Sequence, residues 1–250
     1  MLERIEHDDV LELRMARPPV NALSPDFVHA LLGAITQAPV DGARAIVLSG
    51  QPGMYSAGLD VPALLALDET GMREFWKHFF GLIGAIACSP IPVAAAITGH
   101  SPAGGAVLAL YCDYRVMADG EFRIGLNEVQ VGLPLPAIIH ATLVRQLGPR
   151  QAERLSVPGL LIDPREARQI GLVDELVPVD GVAAKARDWC AQLLKLPPGA
   201  MSSTRDLARA DLVDLFDRLG EGDYRRMTEA WFGAETQATL KALVERLKKK

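Results

Sequence analysis

The sequence predicts an α/β protein with a single core, and three observations support this. Short apolar runs that look like strands alternate with amphipathic, helix-like stretches through the first half. From about Pro136 the pattern is mainly helical, apart from residues 172–178. No low-complexity linker or internal repeat separates the halves, and 250 residues with 49% apolar content can bury one sizeable core. We expect a core over residues 1–195 and a helical region over 196–250 that belongs to the same fold.

The individual elements follow from local patterns. Alternation of apolar and polar residues around Asp8 and Asp9 predicts a β-hairpin, and Ser24 followed by Pro25 is typical of a helix start. The predicted strands are residues 2–7, 10–15, 45–48, 93–97, 113–118 and 121–124. The predicted helices are the one after Ser24, then residues 61–67, 71–88, 106–111, 181–196 and 234–247.

The last predicted helix has one apolar face and one charged face. The apolar face carries Leu240, Leu243, Val244 and Leu247. Such a helix covers either its own subunit or a neighbouring one, and the pattern does not decide between them.

Composition excludes several classes of function. The formal charge of −5 argues against a nucleic-acid-binding protein, which needs a basic face. The longest apolar stretch, residues 81–99, is interrupted by Pro90 and Pro92, so no membrane span is expected. The three cysteines have no metal-ligand spacing, and no metal site is expected. Free, buried thiols and the lack of a recognisable leader favour a reducing compartment, the cytoplasm of a bacterium, with a mitochondrial matrix as the alternative.

Two glycine-containing loops stand out because each follows a predicted strand and precedes a predicted helix. The loops are residues 55–60 and 101–106. At such positions spare backbone N–H groups can face an anion, and we expect Leu59 and Gly104 to present theirs. The alternatives are an ordinary turn with Asp60 at the following helix start, and glycines that only allow tight packing.

One carboxylate follows these loops in an apolar segment. Glu128 should be partly desolvated, which would raise its pKa and suit it to acid/base catalysis. Asn127 either orients Glu128 or contacts a substrate. A solvent-facing loop glutamate beside an ordinary turn asparagine is the alternative. The apolar neighbours are Ile124, Leu126, Val129 and Val131.

Together these motifs resemble the crotonase (enoyl-CoA hydratase/isomerase) superfamily. They are RPPVNAL at 17–23, SAGLD at 56–60, PAGG at 102–105, CDYR at 112–115, IGLNE at 124–128 and ARQIGLV at 167–173. The resemblance covers nearly the whole chain, and within the superfamily it is greatest to the delta-3,delta-2-enoyl-CoA isomerases. It implies a spiral of ββα units, with C-terminal helices in 196–250 that form a homotrimer or a dimer of trimers.

The resemblance also implies the roles of individual residues. The N–H groups of Leu59 and Gly104 would hold a thioester oxygen, and Glu128 would be the acid/base. Arg17 and the C-terminal lysines would approach the CoA phosphates. CoA would be part of an acyl-CoA substrate, so no separate cofactor is expected. The implied substrate-binding residues are Arg17, Ala22, Ala57, Gly58, Leu59, Asp60, Val61, Gly104 and Asn127.

The number of catalytic glutamates distinguishes hydratases from isomerases within the superfamily. Its hydratases use two glutamates, one of them three residues beyond the oxyanion-binding glycine, where this chain has Val107. A single glutamate favours isomerisation of 3-enoyl-CoA to 2-trans-enoyl-CoA in an apolar pocket. The candidates for that apolar wall are Val107, Phe75, Trp76 and Phe79.

Three alternatives to this interpretation remain. A second acid on a helix would permit hydration or another acyl-CoA reaction, and a chain without turnover would be an acyl-CoA-binding oligomer. The candidates for the second acid are Asp68, Glu69 and Glu74.

Overall fold

The computed structural model describes residues 1–248, which form two sheets surrounded by helices. The larger sheet has the order β1-β2-β3-β5-β7-β9, and the smaller one has the order β4-β6-β8. The strands are β1 (Leu2–His7), β2 (Val10–Met15), β3 (Ala45–Ser49), β4 (Gly53–Met54), β5 (Val93–Ile97), β6 (Gly99–Pro102), β7 (Tyr114–Ala118), β8 (Ile124–Gly125) and β9 (Glu175–Val177). Only the β1–β2 pair, the predicted hairpin, is antiparallel among these strand pairs.

Helices follow the strands and continue to the C-terminus. They are α1 (Pro25–Gln37), α2 (Val61–Leu64), α3 (Glu69–Ala87), α4 (Gly104–Leu110), α5 (Ala137–Leu147), α6 (Pro149–Ser156), α7 (Pro164–Gln169), α8 (Val182–Leu193), α9 (Pro198–Asp217), α10 (Glu221–Phe232) and α11 (Ala234–Lys248). Two 3-10 helices cover Glu128–Val131 and Val179–Gly181.

The chain winds through the two sheets as a repeated ββα unit. β3, β5 and β7 lie in the larger sheet, and each is followed within a few residues by β4, β6 or β8 of the smaller sheet. A helical segment then returns the chain to the next unit. This confirms the predicted α/β spiral, and it places the loops that leave the smaller sheet beside one another.

The central strands are buried on both faces. Every residue of β3 and β5 is buried, which explains their continuous apolar sequences. Ile46 and Leu48 point to the main cluster, which includes residues of α1 and α3. Ala45 and Val47 belong to a second cluster with residues of α8. The sheet therefore lies between two helical layers and forms a rigid platform for the loops.

The C-terminal helices pack on the same chain. Asp113, just before β7, pairs with Arg205 (Nε–Oδ1 2.8 Å) and Arg209 (Nη1–Oδ1 3.0 Å) of α9. The Thr236 hydroxyl of α11 donates to the Gly132 carbonyl at 2.6 Å. Helix α11 thus covers its own subunit, which decides the question that the sequence left open.

The predicted apolar face of the last helix can be compared with α11 only at the residues that the structure describes. Leu240 is fully buried in the core, whereas Leu243 and Val244 are half-buried. The side chain of Leu247, and the whole of Lys249 and Lys250, lie outside the described residues. The division at residue 195 stays a prediction.

Several elements differ from the sequence-based expectation. The helix expected over 61–67 ends at Leu64, and the strand expected over 121–124 is Ile124–Gly125. Strands β4 and β6 were not predicted, because they are short and pair with remote segments.

All three cysteines are free, but Cys88 is exposed and not buried. None of the helices described here combines the length and the apolarity that a membrane crossing needs.

Candidate active site

The first glycine loop is held in place by the segment before α1. Leu23 donates its N–H to the Gly58 carbonyl at 2.8 Å, and its carbonyl accepts from the Asp60 N–H at 3.2 Å. The Gly58 N–H is bonded to the Ser56 hydroxyl. These bonds fix the backbone on both sides of Leu59, whose own N–H has no acceptor among residues 1–248.

The second glycine loop ends at the start of α4. Ala103 has φ +46°, a value unusual for a residue with a side chain, and its N–H donates to the Gly125 carbonyl at 2.8 Å. Helix α4 begins at Gly104, so the Gly104 N–H is one of the donors that an α-helix leaves unpaired. Within the described chain it has no acceptor.

The two loops touch at their glycines. Gly58 has φ +83°, and a Cβ added there would lie 2.9 Å from the Gly104 nitrogen. A Cβ on Gly105 would lie 2.4 Å from the Ser56 carbonyl oxygen. The glycines are therefore required for packing, as one alternative proposed. The same packing brings Leu59 and Gly104 to the wall of one cavity.

Glu128 is the first residue of a 3-10 helix beside these loops. Its Oε2 atom is buried and has no hydrogen-bond partner among the described residues. Burial raises the pKa of the Glu128 carboxyl to about 7. Part of the expected shielding was assigned wrongly, because Val129 is 37% exposed. Ile124 and Leu126 are buried as expected, and α11 packs on this 3-10 helix as well.

A cavity of about 580 Å³ joins the two loops to Glu128. Every substrate-binding residue expected from the sequence lines it except Gly58, which is buried where the loops touch. Its predicted lining residues are Arg17, Ala22, Ala57, Leu59, Asp60, Val61, Gly104, Asn127 and Glu128. The Oδ1 atom of Asn127 is also buried without a partner in the described structure. It makes no hydrogen bond to Glu128.

The remainder of the cavity is mostly apolar. Trp76 and Phe79 line it as expected, whereas Phe75 and Val107 are buried in the core and do not line it. Several lining residues are not predictable from the sequence, because they come from distant segments with ordinary helical or loop patterns. They include Leu133, Ile139 and Met227.

The acids proposed as a second catalytic group do not reach this cavity. Asp68, Glu69 and Glu74 are exposed, and none of them lines it. Asp60 does line it, but one of its carboxylate oxygens pairs with Arg17 at 2.6 Å. The other oxygen accepts from the backbone at the start of α2. Among the described residues lining the cavity, Glu128 is therefore the carboxylate without a partner.

The site combines two unpaired backbone donors with one desolvated carboxyl group in an apolar cavity. Such donors stabilise a developing oxyanion, and a carboxyl group with a pKa near neutrality can both accept and return a proton. No group of three or more His, Cys, Asp or Glu residues in the described part of the chain is arranged to hold a metal ion. The geometry is that of an enzyme for acid/base chemistry next to a carbonyl group.

Comparison with known proteins agrees with this class. A sequence profile described as "Enoyl-CoA hydratase/isomerase" matches residues 6–250. The chain belongs to the enoyl-CoA hydratase/isomerase family, which confirms the resemblance noted in the sequence.

Individual relatives span most of the chain. Enoyl-CoA delta isomerase 1, mitochondrial, of Rattus norvegicus is 33% identical over 253 aligned residues, covering 100% of this chain and 88% of that protein. A putative enoyl-CoA hydratase of Thermus thermophilus is 36% identical over 76% of each chain. The crystal structure of human mitochondrial delta3-delta2-enoyl-CoA isomerase superposes with a TM-score of 0.93, at 32% identity, over 99% of this chain and 98% of that one.

Proposed function

We propose that this enzyme shifts the double bond of a 3-enoyl-CoA to the 2-trans position. The observation that carries the proposal is the buried Oε2 atom of Glu128, which has no hydrogen-bond partner among the described residues and shares one cavity with Leu59 and Gly104, whose N–H groups are unpaired. Similarity to relatives named as delta isomerases supports the choice within the family.

The thioester carbonyl binds between the two backbone donors. The N–H groups of Leu59 and Gly104 donate to its oxygen, and the positive end of α4 adds to the field at Gly104. Removal of the proton at C2 places negative charge on this oxygen, so the hydrogen bonds strengthen in the transition state. A donor of this kind typically contributes about 2.7–4 kcal/mol of transition-state stabilisation. Ala57 and the residues from Leu59 to Val61, which line the cavity, contact the CoA portion.

Glu128 carries the proton between two carbons. Its carboxylate removes a proton from C2, and the electron pair moves into a dienolate whose charge rests on the thioester oxygen. The carboxylic acid then returns the proton at C4 on the same face, and the double bond comes to lie between C2 and C3. A pKa of about 7 suits both steps, because neither protonation state is strongly favoured near neutral pH.

Among the described residues that line the cavity no second carboxylate is free of an ion pair, which favours isomerisation over hydration. Adding water requires one group to activate the water and another to deliver the proton at C2. Val107 is buried and apolar, and Asp60 is engaged by Arg17. Phe79, Leu133 and Ile139 make much of the cavity wall apolar, which disfavours a bound water molecule.

Assembly and location are part of the same proposal. We expect a homotrimer or a dimer of trimers in the cytoplasm, with an acyl-CoA substrate and neither nucleic acid nor membrane as a partner. The C-terminal lysines were expected to approach the CoA phosphates. Lys249 and Lys250 lie outside the described residues, and Lys248 pairs with Glu245 at 3.0 Å.

Two assays of the purified wild-type protein test the proposed reaction. Isomerisation of 3-hexenoyl-CoA should exceed hydration of crotonyl-CoA by a large factor. Equal or faster hydration would assign a hydratase. Binding of both thioesters without turnover of either would assign a non-catalytic acyl-CoA-binding protein.

A further inference from the structure

The Arg17 side chain points to its own protein backbone and to Asp60. Its Nη1 donates to the Ala22 carbonyl at 2.9 Å, and its Nη2 contacts Asp60 Oδ2 at 2.6 Å. The Arg17 N–H donates to the Asn21 side chain at 2.8 Å. The Arg17 and Asp60 side chains are only 28% and 12% exposed. These contacts tie the segment before α1 to the residue that follows Leu59.

Asp60 is saturated by these interactions. Its Oδ2 faces Arg17, and its Oδ1 accepts from the Ala63 N–H at 3.1 Å as the N-cap of α2. Its own N–H donates to the Leu23 carbonyl. Asp60 is therefore fixed by its backbone and by both carboxylate oxygens, and with it the orientation of the preceding Leu59 peptide.

Arg17 could either bind the CoA phosphates or position the Leu59 N–H, and the charge of Asp60 distinguishes these two roles. A guanidinium that serves the CoA phosphates would bring them close to the Asp60 carboxylate, and the like charges would repel. A guanidinium already neutralised by that carboxylate adds little attraction for a phosphate. The ion pair of Arg17 with Asp60 does hold the Leu59 N–H at a fixed place. A displacement of that donor by about 1 Å is enough to lower the rate on the order of 10²-fold.

We propose that Arg17 is a positioning residue: its ion pair with Asp60 holds the Leu59 N–H at the thioester oxygen, and it does not bind the CoA phosphates. This inference rests on the oxyanion site of the proposed function. It assigns to Arg17 a different role from the one that the family resemblance implied.

Steady-state kinetics with two substrates separates the roles. The substrates are 3-hexenoyl-CoA and 3-hexenoyl-pantetheine, which lacks the phosphorylated nucleotide. We expect Arg17→Ala to lower kcat by on the order of 10²-fold with both substrates, while KM for the CoA ester stays within a few-fold of wild type. A loss seen only with the CoA ester, as a raised KM, would assign Arg17 to the phosphates and overturn the inference.

The variant Asp60→Asn distinguishes the two roles of Arg17, because one role predicts a loss of kcat and the other predicts tighter binding of CoA. If the ion pair positions Leu59, this variant loses kcat as Arg17→Ala does, and the double variant loses little more, because both changes break one interaction. If Arg17 binds phosphate, removing the competing carboxylate tightens CoA binding. Arg17→Lys should recover only part of kcat, because an ammonium cannot reproduce the two directed contacts of a guanidinium.

A spectroscopic measurement separates failure of this inference from failure of the proposed function. Hydrogen bonds polarise a carbonyl group and lower its stretching frequency, which difference infrared spectroscopy of bound 2-hexenoyl-CoA reports without turnover. We expect a lowered frequency in wild type and a frequency nearer the solution value in Arg17→Ala. No lowering in wild type would defeat the oxyanion site itself. A fully retained lowering in Arg17→Ala would defeat only the role of Arg17.

A matched variant controls for loss of folding. Arg44 makes an exposed ion pair with Asp9 at 2.8 Å, outside the cavity. Arg44→Ala should retain wild-type kcat and carbonyl frequency. If Arg17→Ala unfolds under the assay conditions, Asp60→Asn carries the test with the same expected loss of kcat, and Arg17→Lys carries it with a partial loss.

Discussion

Gly58 and Gly104 lie so close together that a methyl group on the first would sit 2.9 Å from the backbone nitrogen of the second. They come from separate ββα units, and the smaller sheet brings their loops side by side. This contact joins the loop that carries the Leu59 N–H to the start of α4, so both residues line one cavity, and the proposed chemistry depends on it.

Gly58→Ala should therefore reduce activity far more than stability. Gly58 has a left-handed backbone conformation, in which any side chain lowers stability by about 1–2 kcal/mol. The added methyl group would also clash with the Gly104 nitrogen and separate the N–H groups of Leu59 and Gly104. We expect kcat to fall on the order of 10²–10³-fold, as when one oxyanion donor is lost. Isomerisation kinetics and chemical denaturation measure the two effects.

Gly42→Ala is the matched control. Gly42 has φ +98° but no heavy atom within 4 Å of an added Cβ, and it does not line the cavity. Gly42→Ala should lose only the roughly 1–2 kcal/mol that its left-handed backbone costs, and it should keep wild-type kcat. Equal kcat losses in both variants would show that the Gly58–Gly104 contact has no special role.

The rate should depend on the ionisation of Glu128. The free enzyme needs the carboxylate, and burial raises the pKa of Glu128 to about 7. The value of kcat/KM should therefore rise with pH and level off above about pH 7, and a pH–rate profile measures this. A flat profile from about pH 5 to 8 would exclude Glu128 as the base.

The raised pKa of Glu128 also predicts that the free energy of unfolding depends on pH. Because the pKa of Glu128 is raised from 4.5 to about 7 on folding, the folded state binds more protons than the unfolded state between these values. The wild-type carboxyl therefore destabilises the fold progressively as pH rises from about 4.5, by up to about 3 kcal/mol above pH 7. Relative to wild type, Glu128→Gln should gain stability over this range, as denaturant unfolding at several pH values would reveal. A constant difference would mean that the carboxyl is well solvated.

The C-terminal helices should unfold together with the core. Asp113 is 9% exposed and pairs with Arg205 and Arg209 of α9, so Asp113→Asn leaves two cations without a counter-charge. We expect a loss of about 3 kcal/mol in a single unfolding transition. Asp211→Asn, which breaks a pair that is 65% exposed at the aspartate, should cost less than about 1 kcal/mol. A separate early transition would instead make residues 196–250 an independent unit.

Local sequence patterns predicted the elements that do not depend on distant partners. Strand β5 was predicted at its observed bounds, because it is buried on both faces and bracketed by turn residues. The Ser24 cap of α1 was also predicted, and its hydroxyl accepts from the Phe27 N–H. Helix α2 begins after Asp60 as predicted from the N-cap pattern.

Other features depend on pairing between remote segments and were missed for that reason. Strand β4 contains only Gly53 and Met54, and its strand character comes from its pairing with β6. The 3-10 helix that begins at Glu128 is packed by α11, about a hundred residues later, whereas the adjacent Val129 is 37% exposed. Met227 enters the cavity from α10, whose sequence looks like that of any amphipathic helix.

The most direct test of the central claim is the activity of Glu128→Gln with 3-hexenoyl-CoA. The amide keeps the shape of the side chain but cannot accept the C2 proton. We expect kcat to fall on the order of 10²–10⁴-fold while the affinity for a CoA thioester is preserved. A rate within a few-fold of wild type would mean that another group carries the proton.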